Sequence, residues 1–130
     1  MSSPPASLAG VAHKITQAQI AKYAEASGDR NPLHLDAEFA AATRFGRPVA
    51  HGMLVLAFAS ELLARSFGRA WLCGGKLRAR FRSPVYPGDV VTARGTLTSQ
   101  DAAQATYRVV VQNQDGVDVI TAEATVPLSP

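Results

Sequence analysis

Residues 28 to 35, GDRNPLHL, put an acid, an amide and an imidazole (Asp29, Asn31, His34) around a proline within six positions. A carboxylate and an imidazole that face one small pocket can activate a single water. One takes a proton while the other orients the water or returns a proton to the product. On a continuous helix residues five apart lie roughly 140° apart around the axis, so helical periodicity cannot bring Asp29 and His34 together. A second segment, AHGML (Ala50 to Leu54), starts a long apolar stretch. If that stretch is a helix, its first N–H groups are unpaired and carry partial positive charge. Gly52 would then let a ligand oxygen approach the backbone, as an oxyanion hole requires. Acid, base and oxyanion donor together suit addition of water to a double bond conjugated with a carbonyl.

The elements that must position these groups follow from local signals. Thr16 reads as an N-cap with Gln19 as its capping-box partner, which predicts a helix to about Ala26, stopped by Gly28. Pro32 biases Asn31 away from the helical region, so residues 27 to 34 are expected as a turn, and a turn can aim Asp29 and His34 at one point. Asp36 caps a short helix in AEFAAATRF, closed by Gly46. The stretch HGMLVLAFASELLARSF, ending at Gly68, reads as a helix that something else wraps. Four strand patterns follow: KLRARFR, DVVTARGTLTS, ATYRVVVQNQ, and GVDVITAEATVPL after an Asp115-Gly116 turn. With a further strand near Val11 to Ile15 this is an α+β domain whose antiparallel sheet curls around one long helix.

Composition narrows the classes. With 130 residues, 47% hydrophobic and 18% charged, the chain is expected as one globular domain (residues 11–130) behind a flexible polar tail (residues 1–10). Cys73 is the only cysteine, which excludes an internal disulfide and points to a reducing compartment, the cytoplasm. Glu61 and Arg65 interrupt the longest apolar run before it reaches the roughly 20 residues of a membrane span, so no membrane partner is expected. The net charge of +3 is compatible with nucleic acid or with a phosphorylated small ligand. Aromatic residues are not interleaved with the basic ones as a base-stacking surface requires, so nucleic acid is not expected.

The segment from Tyr23 to Ala40, YAEASGDRNPLHLDAEFA, resembles the signature of the MaoC-like (R)-specific enoyl-CoA hydratases and the related (3R)-hydroxyacyl dehydratases. Ser27-Gly28-Asp29-x-Asn31-Pro32-x-His34 matches throughout, AHGML and the apolar helix match as well, and the similarity runs over roughly residues 14 to 126. The resemblance implies a hotdog fold, a long central helix wrapped by an antiparallel sheet of about five strands, normally paired into a homodimer with a continuous sheet. A heteromer or a dimer of dimers is also compatible. It implies reversible hydration of trans-2-enoyl thioesters to (3R)-3-hydroxyacyl thioesters. Asp29 and His34 match the catalytic pair, and Gly52 matches the residue whose N–H binds the thioester oxygen. Asn31 and Ser27 would support them, and Ser60 falls where short members carry a serine that supports the active-site loop.

No cofactor and no metal are implied; coenzyme A or phosphopantetheine enters only as part of the thioester. The alternatives are a (3R)-hydroxyacyl-ACP dehydratase, a hotdog acyl-CoA thioesterase and a non-catalytic acyl-binding subunit.

Several residues carry competing readings. Lys76, Arg78, Arg80 and Arg82 share one strand face, opposite Leu77, Ala79 and Phe81, and read as a solvated face. The alternative is that Arg78 or Arg80 meets the phosphates of the thioester carrier. His51 reads as a brace for the loop before the helix, and Tyr23 as core. His34-x-Asp36 with His51 is a fragment of an iron site, but Asp36 is wanted as a helix cap. Cys73 reads as a buried thiol.

Overall fold

The computed structural model describes residues 3–128. The elements run β1 (Ser7–Lys14), α1 (Gln17–Ser27), α2 (Pro32–Leu35), α3 (Ala37–Ala41), α4 (Gly52–Phe67), α5 (Arg69–Gly74), β2 (Lys76–Phe81), β3 (Val90–Gln100), β4 (Gln104–Gln112) and β5 (Asp118–Pro127). The five strands form one antiparallel sheet in the order β1-β3-β4-β5-β2, with β1 and β2 at its edges. The α4 helix packs against β1, β3, β4 and β5.

This packing follows from the alternation in the strands. Val91, Ala93, Tyr107, Val109, Val111, Ala124 and Val126 point inward and are buried. They meet Leu54, Val55, Phe58, Ala59, Leu62 and Leu63, which recur at helical spacing along one side of α4. On the opposite side Met53 is 58% exposed, uncovered by any of the described residues. No helix among the described residues is long and apolar enough to cross a membrane.

Several expectations change. The first strand begins at Ser7 rather than near Val11, and Leu8 is buried, so residues 7 to 10 belong to the sheet and not to a tail. Tyr107 Oη donates to Pro5 O at 2.6 Å, which ties the entry of β1 to the middle of the sheet. Residues 1–2 of the expected tail and 129–130 of the expected domain lie outside the described residues. Thr16 caps α1 by accepting from Gln19 N, but Gln19 Oε1 is buried without a partner, so the reciprocal half of the capping box is not made. The short α5 was not expected from the sequence. Its Trp71 is buried and donates from Nε1 to Ser60 Oγ at 3.0 Å. Cys73, on the same short helix, is exposed rather than buried.

A polar tie joins β1 to α4. His13 Nε2 lies 2.6 Å from Glu61 Oε1, Arg65 donates to Glu61 Oε2 at 2.7 Å, and the His13 ring stacks on Phe58. The bond from His13 holds the Glu61 carboxyl below its ordinary value of 4.5, against partial burial, which pushes it up. A carboxylate with a lowered folded-state pKa stabilises the fold above its unfolded value and loses that contribution as pH falls through the lowered one. Glu61→Gln is therefore expected to lower the thermal midpoint at neutral pH, and the gap to wild type should close as pH drops below about 4.5. Thermal scans across this range would show a constant gap if the tie were irrelevant.

Candidate active site

The site begins where α1 stops. Gly28 adopts φ 79°, a left-handed conformation that glycine accepts without steric cost, and its N–H closes the helix on Ala24 O. Short side-chain bonds then fold the loop. Asp29 N donates to Ser27 Oγ at 3.1 Å, Asn31 N to Asp29 Oδ1 at 3.2 Å, and Leu33 N to Asn31 Oδ1 at 2.9 Å. The last bond makes Asn31 the N-cap of α2, with Pro32 at its first position. Residues 32 to 35 thus form one helical turn rather than the open turn expected. The expected outcome survives, because Asp29 precedes this turn and His34 sits on it.

The two imidazoles are fixed by carbonyls. His34 Nδ1 lies 2.7 Å from Val49 O, and His51 Nε2 lies 2.9 Å from Asp29 O. A carbonyl only accepts, so His34 carries its proton on Nδ1 and presents Nε2 as a base, while His51 donates from Nε2. The rings stack with centroids 3.8 Å apart, and Tyr23 packs against His51 at 4.8 Å. His51 is 2% exposed, and its Nδ1 has no partner. One buried side chain therefore holds the Asp29 backbone, supports the His34 ring and precedes Gly52.

Asp29, His34 and His51 offer ligand atoms within 4.8 Å of one another. Stacked rings keep their nitrogen lone pairs in nearly parallel planes, which does not suit two ligands converging on one tetrahedral metal. Asp36, the carboxylate of the iron-site fragment, instead accepts from Glu38 N and Phe39 N as the cap of α3. The arrangement suits proton transfer.

Gly52 is the first residue of α4, where the N–H has no intrahelical acceptor. It lies between two cavities. One, of about 310 Å³, is lined by His34 and by apolar groups including Val49, Val55, Val85 and Ile120, with Arg44 and Arg82 among its polar groups. The other, of about 330 Å³, is lined by Asp29, Ser27, Tyr23 and His51. Gly52 and Phe81 line both. A Cβ at position 52 would stand 3.0 Å from Phe81 Cε1, so a side chain there would require the ring to shift by a few tenths of an ångström.

A family model for the MaoC like domain matches residues 6–119. The chain belongs to the MaoC-like family. It is 40% identical over 114 residues to the (R)-specific enoyl-CoA hydratase of Aeromonas caviae, covering 85% of this chain and 84% of that one. It is 33% identical over 120 residues to the (R)-specific enoyl-CoA hydratase of Rhodospirillum rubrum, covering 91% and 83%. Among solved structures, the (R)-hydratase from A. caviae involved in PHA biosynthesis superposes with a TM-score of 0.82 at 36% identity, covering 93% of each chain. The architecture of this MaoC-like chain is accordingly the hotdog fold.

The structure gathers Asp29, His34 and Gly52, with Ser27 and Asn31 bracing the loop between them. Ser60 does not join them. It lies eight residues after Gly52, roughly 12 Å along a helix rising about 1.5 Å per residue, and its hydroxyl is bonded to Trp71. Arg78 and Arg80 lie on the sheet face turned away from α4, in a groove with Arg82 and Arg108.

His51 is the expected brace and also supports the His34 ring, Tyr23 lines the cavity of Asp29, and Phe81, expected only on the strand face opposite the arginines, stands over Gly52. For His51 the signal was its place directly before Gly52. For Phe81 no local pattern distinguishes a ring over a helix start from ordinary core.

Proposed function

We propose that this protein is an (R)-specific enoyl-thioester hydratase, which hydrates trans-2-enoyl-CoA reversibly to (3R)-3-hydroxyacyl-CoA. The observation that carries the reading is that the Asp29 carboxylate and the His34 imidazole come within 4.8 Å of one another, each lining a cavity that Gly52 at the start of α4 also lines. The relatives named above support it.

In the forward direction a water held between Asp29 and His34 Nε2 attacks Cβ. Its oxygen bonds to Cβ as one proton passes to the base. The Cα–Cβ π pair moves toward the thioester carbonyl, and the enolate-like oxygen is held by Gly52 N–H. The proton then returns to Cα from the same face, and the carbonyl reforms. Dehydration runs these steps backward. No step attacks the thioester carbonyl carbon, so no acyl transfer is part of this reading.

A homodimer that continues the sheet belongs to the same proposal. Phe81 on edge strand β2 is 56% exposed, and Met53 and Leu72 are more so, which leaves apolar surface for a second copy. A cytoplasmic location is likewise proposed, supported by the single cysteine.

Crotonyl-CoA and a medium-chain trans-2-enoyl-CoA test the reaction, read by enoyl absorbance with a free-thiol assay in parallel. Loss of enoyl absorbance without thiol release is expected. Thiol release would instead establish a thioesterase. Light scattering of the purified protein checks the oligomer, and a monomer would refute that part.

A further inference from the structure

We propose that the arginine groove on the outer face of the sheet binds the phosphates of coenzyme A. This rests on the hydratase reading and extends it to the part of the substrate that does not react. The groove encloses about 320 Å³ and is lined by Arg78, Arg80, Arg82 and Arg108, with the hydroxyl side chains Thr98 and Thr121. Its one carboxylate, Glu123, stands opposite Arg78 across β2–β5 and opposite Arg108 across β4–β5. Among the described residues none of these four arginines makes an ion pair. Arg82 donates from Nε to Thr121 Oγ1 at 3.0 Å, which fixes one guanidinium beside a hydroxyl of the groove.

Four guanidinium groups around one acid leave an excess of positive charge that a polyanion would neutralise. Each presents a planar fork of donors suited to phosphate oxygens. The groove also connects with the proposed reaction site. Arg82 lines both the groove and the cavity that contains His34 and Gly52. It follows Phe81, the last residue of edge strand β2, so a tether leaving Gly52 can pass the end of that strand and reach the outer face. From Arg82 back to Arg78 the strand covers roughly 13 Å at about 3.3 Å per residue, a row along which separate phosphates can lie. Coenzyme A has this form: a reactive thioester, a long flexible pantetheine arm, a pyrophosphate and a 3′-phosphate. A free phosphate would fill only part of the row.

The test uses the full chain with Arg78, Arg80 and Arg108 replaced together by Gln; Arg82 is kept because it also borders the reaction cavity. Adenosine 3′,5′-bisphosphate, titrated calorimetrically at low salt, should bind wild type, with affinity that falls as salt is added. The triple variant should bind it about tenfold more weakly. In steady-state assays wild type should prefer crotonyl-CoA over crotonyl-pantetheine, which has no phosphates, and the variant should lose about tenfold of that preference in kcat/KM. If wild type does not bind the bisphosphate, or the variant keeps its full preference for the CoA ester, the proposal is overturned. A loss confined to enoyl groups on an acyl carrier protein would overturn it too, and would make the groove a protein-docking surface. A wild type that hydrates neither thioester refutes the hydratase reading alone, since the nucleotide titration still decides the groove.

Discussion

Asp29→Asn and His34→Ala are each expected to lower kcat for enoyl-CoA hydration by about a hundredfold to ten-thousandfold, the range for removing a positioned general acid or base. Asp29→Asn is the sharper test. The amide keeps an Oδ1 that can accept from Asn31 N, so the bonds that fold the 27–34 loop persist while the negative charge is lost. Its thermal midpoint should stay close to wild type as turnover collapses. His34→Ala also removes the bond to Val49 O and the stack on His51, so it should cost both rate and some stability. Initial rates from enoyl absorbance, with a melting curve for each protein, separate the two effects. A near-normal rate in either variant would remove that residue from the mechanism. Because both groups act on one water, the double variant should be little worse than the poorer single one.

Gly75→Ala is expected to destabilise the fold by about 2–3 kcal/mol without touching the site. Gly75 has an ordinary negative φ of −71°, so backbone conformation is not the reason for glycine here. The reason is space: a Cβ would fall 2.0 Å from Trp71 Cε3, where no atom can sit. The indole must move, and with it go the packing of Trp71 and its bond to Ser60. At roughly 3–5 °C per kcal/mol for a chain of this size, the thermal midpoint should fall by roughly 10 °C. Combining Gly75→Ala with Trp71→Leu tests the cause, since the alanine should cost far less once the ring is gone. Additive losses would mean that the clash is relieved elsewhere.

The other expectations depend on charge. Glu61 stabilises through His13 only while it is ionised, and the arginine groove should respond to salt as exposed guanidinium groups do.

Much of this protein is determined by local sequence, because the physics there is local. Thr16, Asp36 and Gly68 mark helix ends through bonds or conformations that involve only near neighbours. The four strand patterns after Gly75 became β2 to β5, since strict alternation buries one face whatever the partner. Asp29, Asn31 and His34 were legible as a cluster for the same reason: the side-chain bonds that fold their loop each span two residues. One local reading failed: Gln19 leaves its Oε1 buried without a partner instead of closing the capping box. Ser60, whose role came from the resemblance and not from local pattern, accepts from Trp71 Nε1.

Tertiary structure alone decided the remainder of the site. His51 reaches Asp29 across 22 positions, Phe81 covers Gly52 across 29, and Arg108 joins Arg78 only because Glu123 stands between them in register. Each of these contacts is set by which faces are buried against α4 and by how the strands align. Those quantities belong to the assembled sheet, and no window of neighbouring residues contains them.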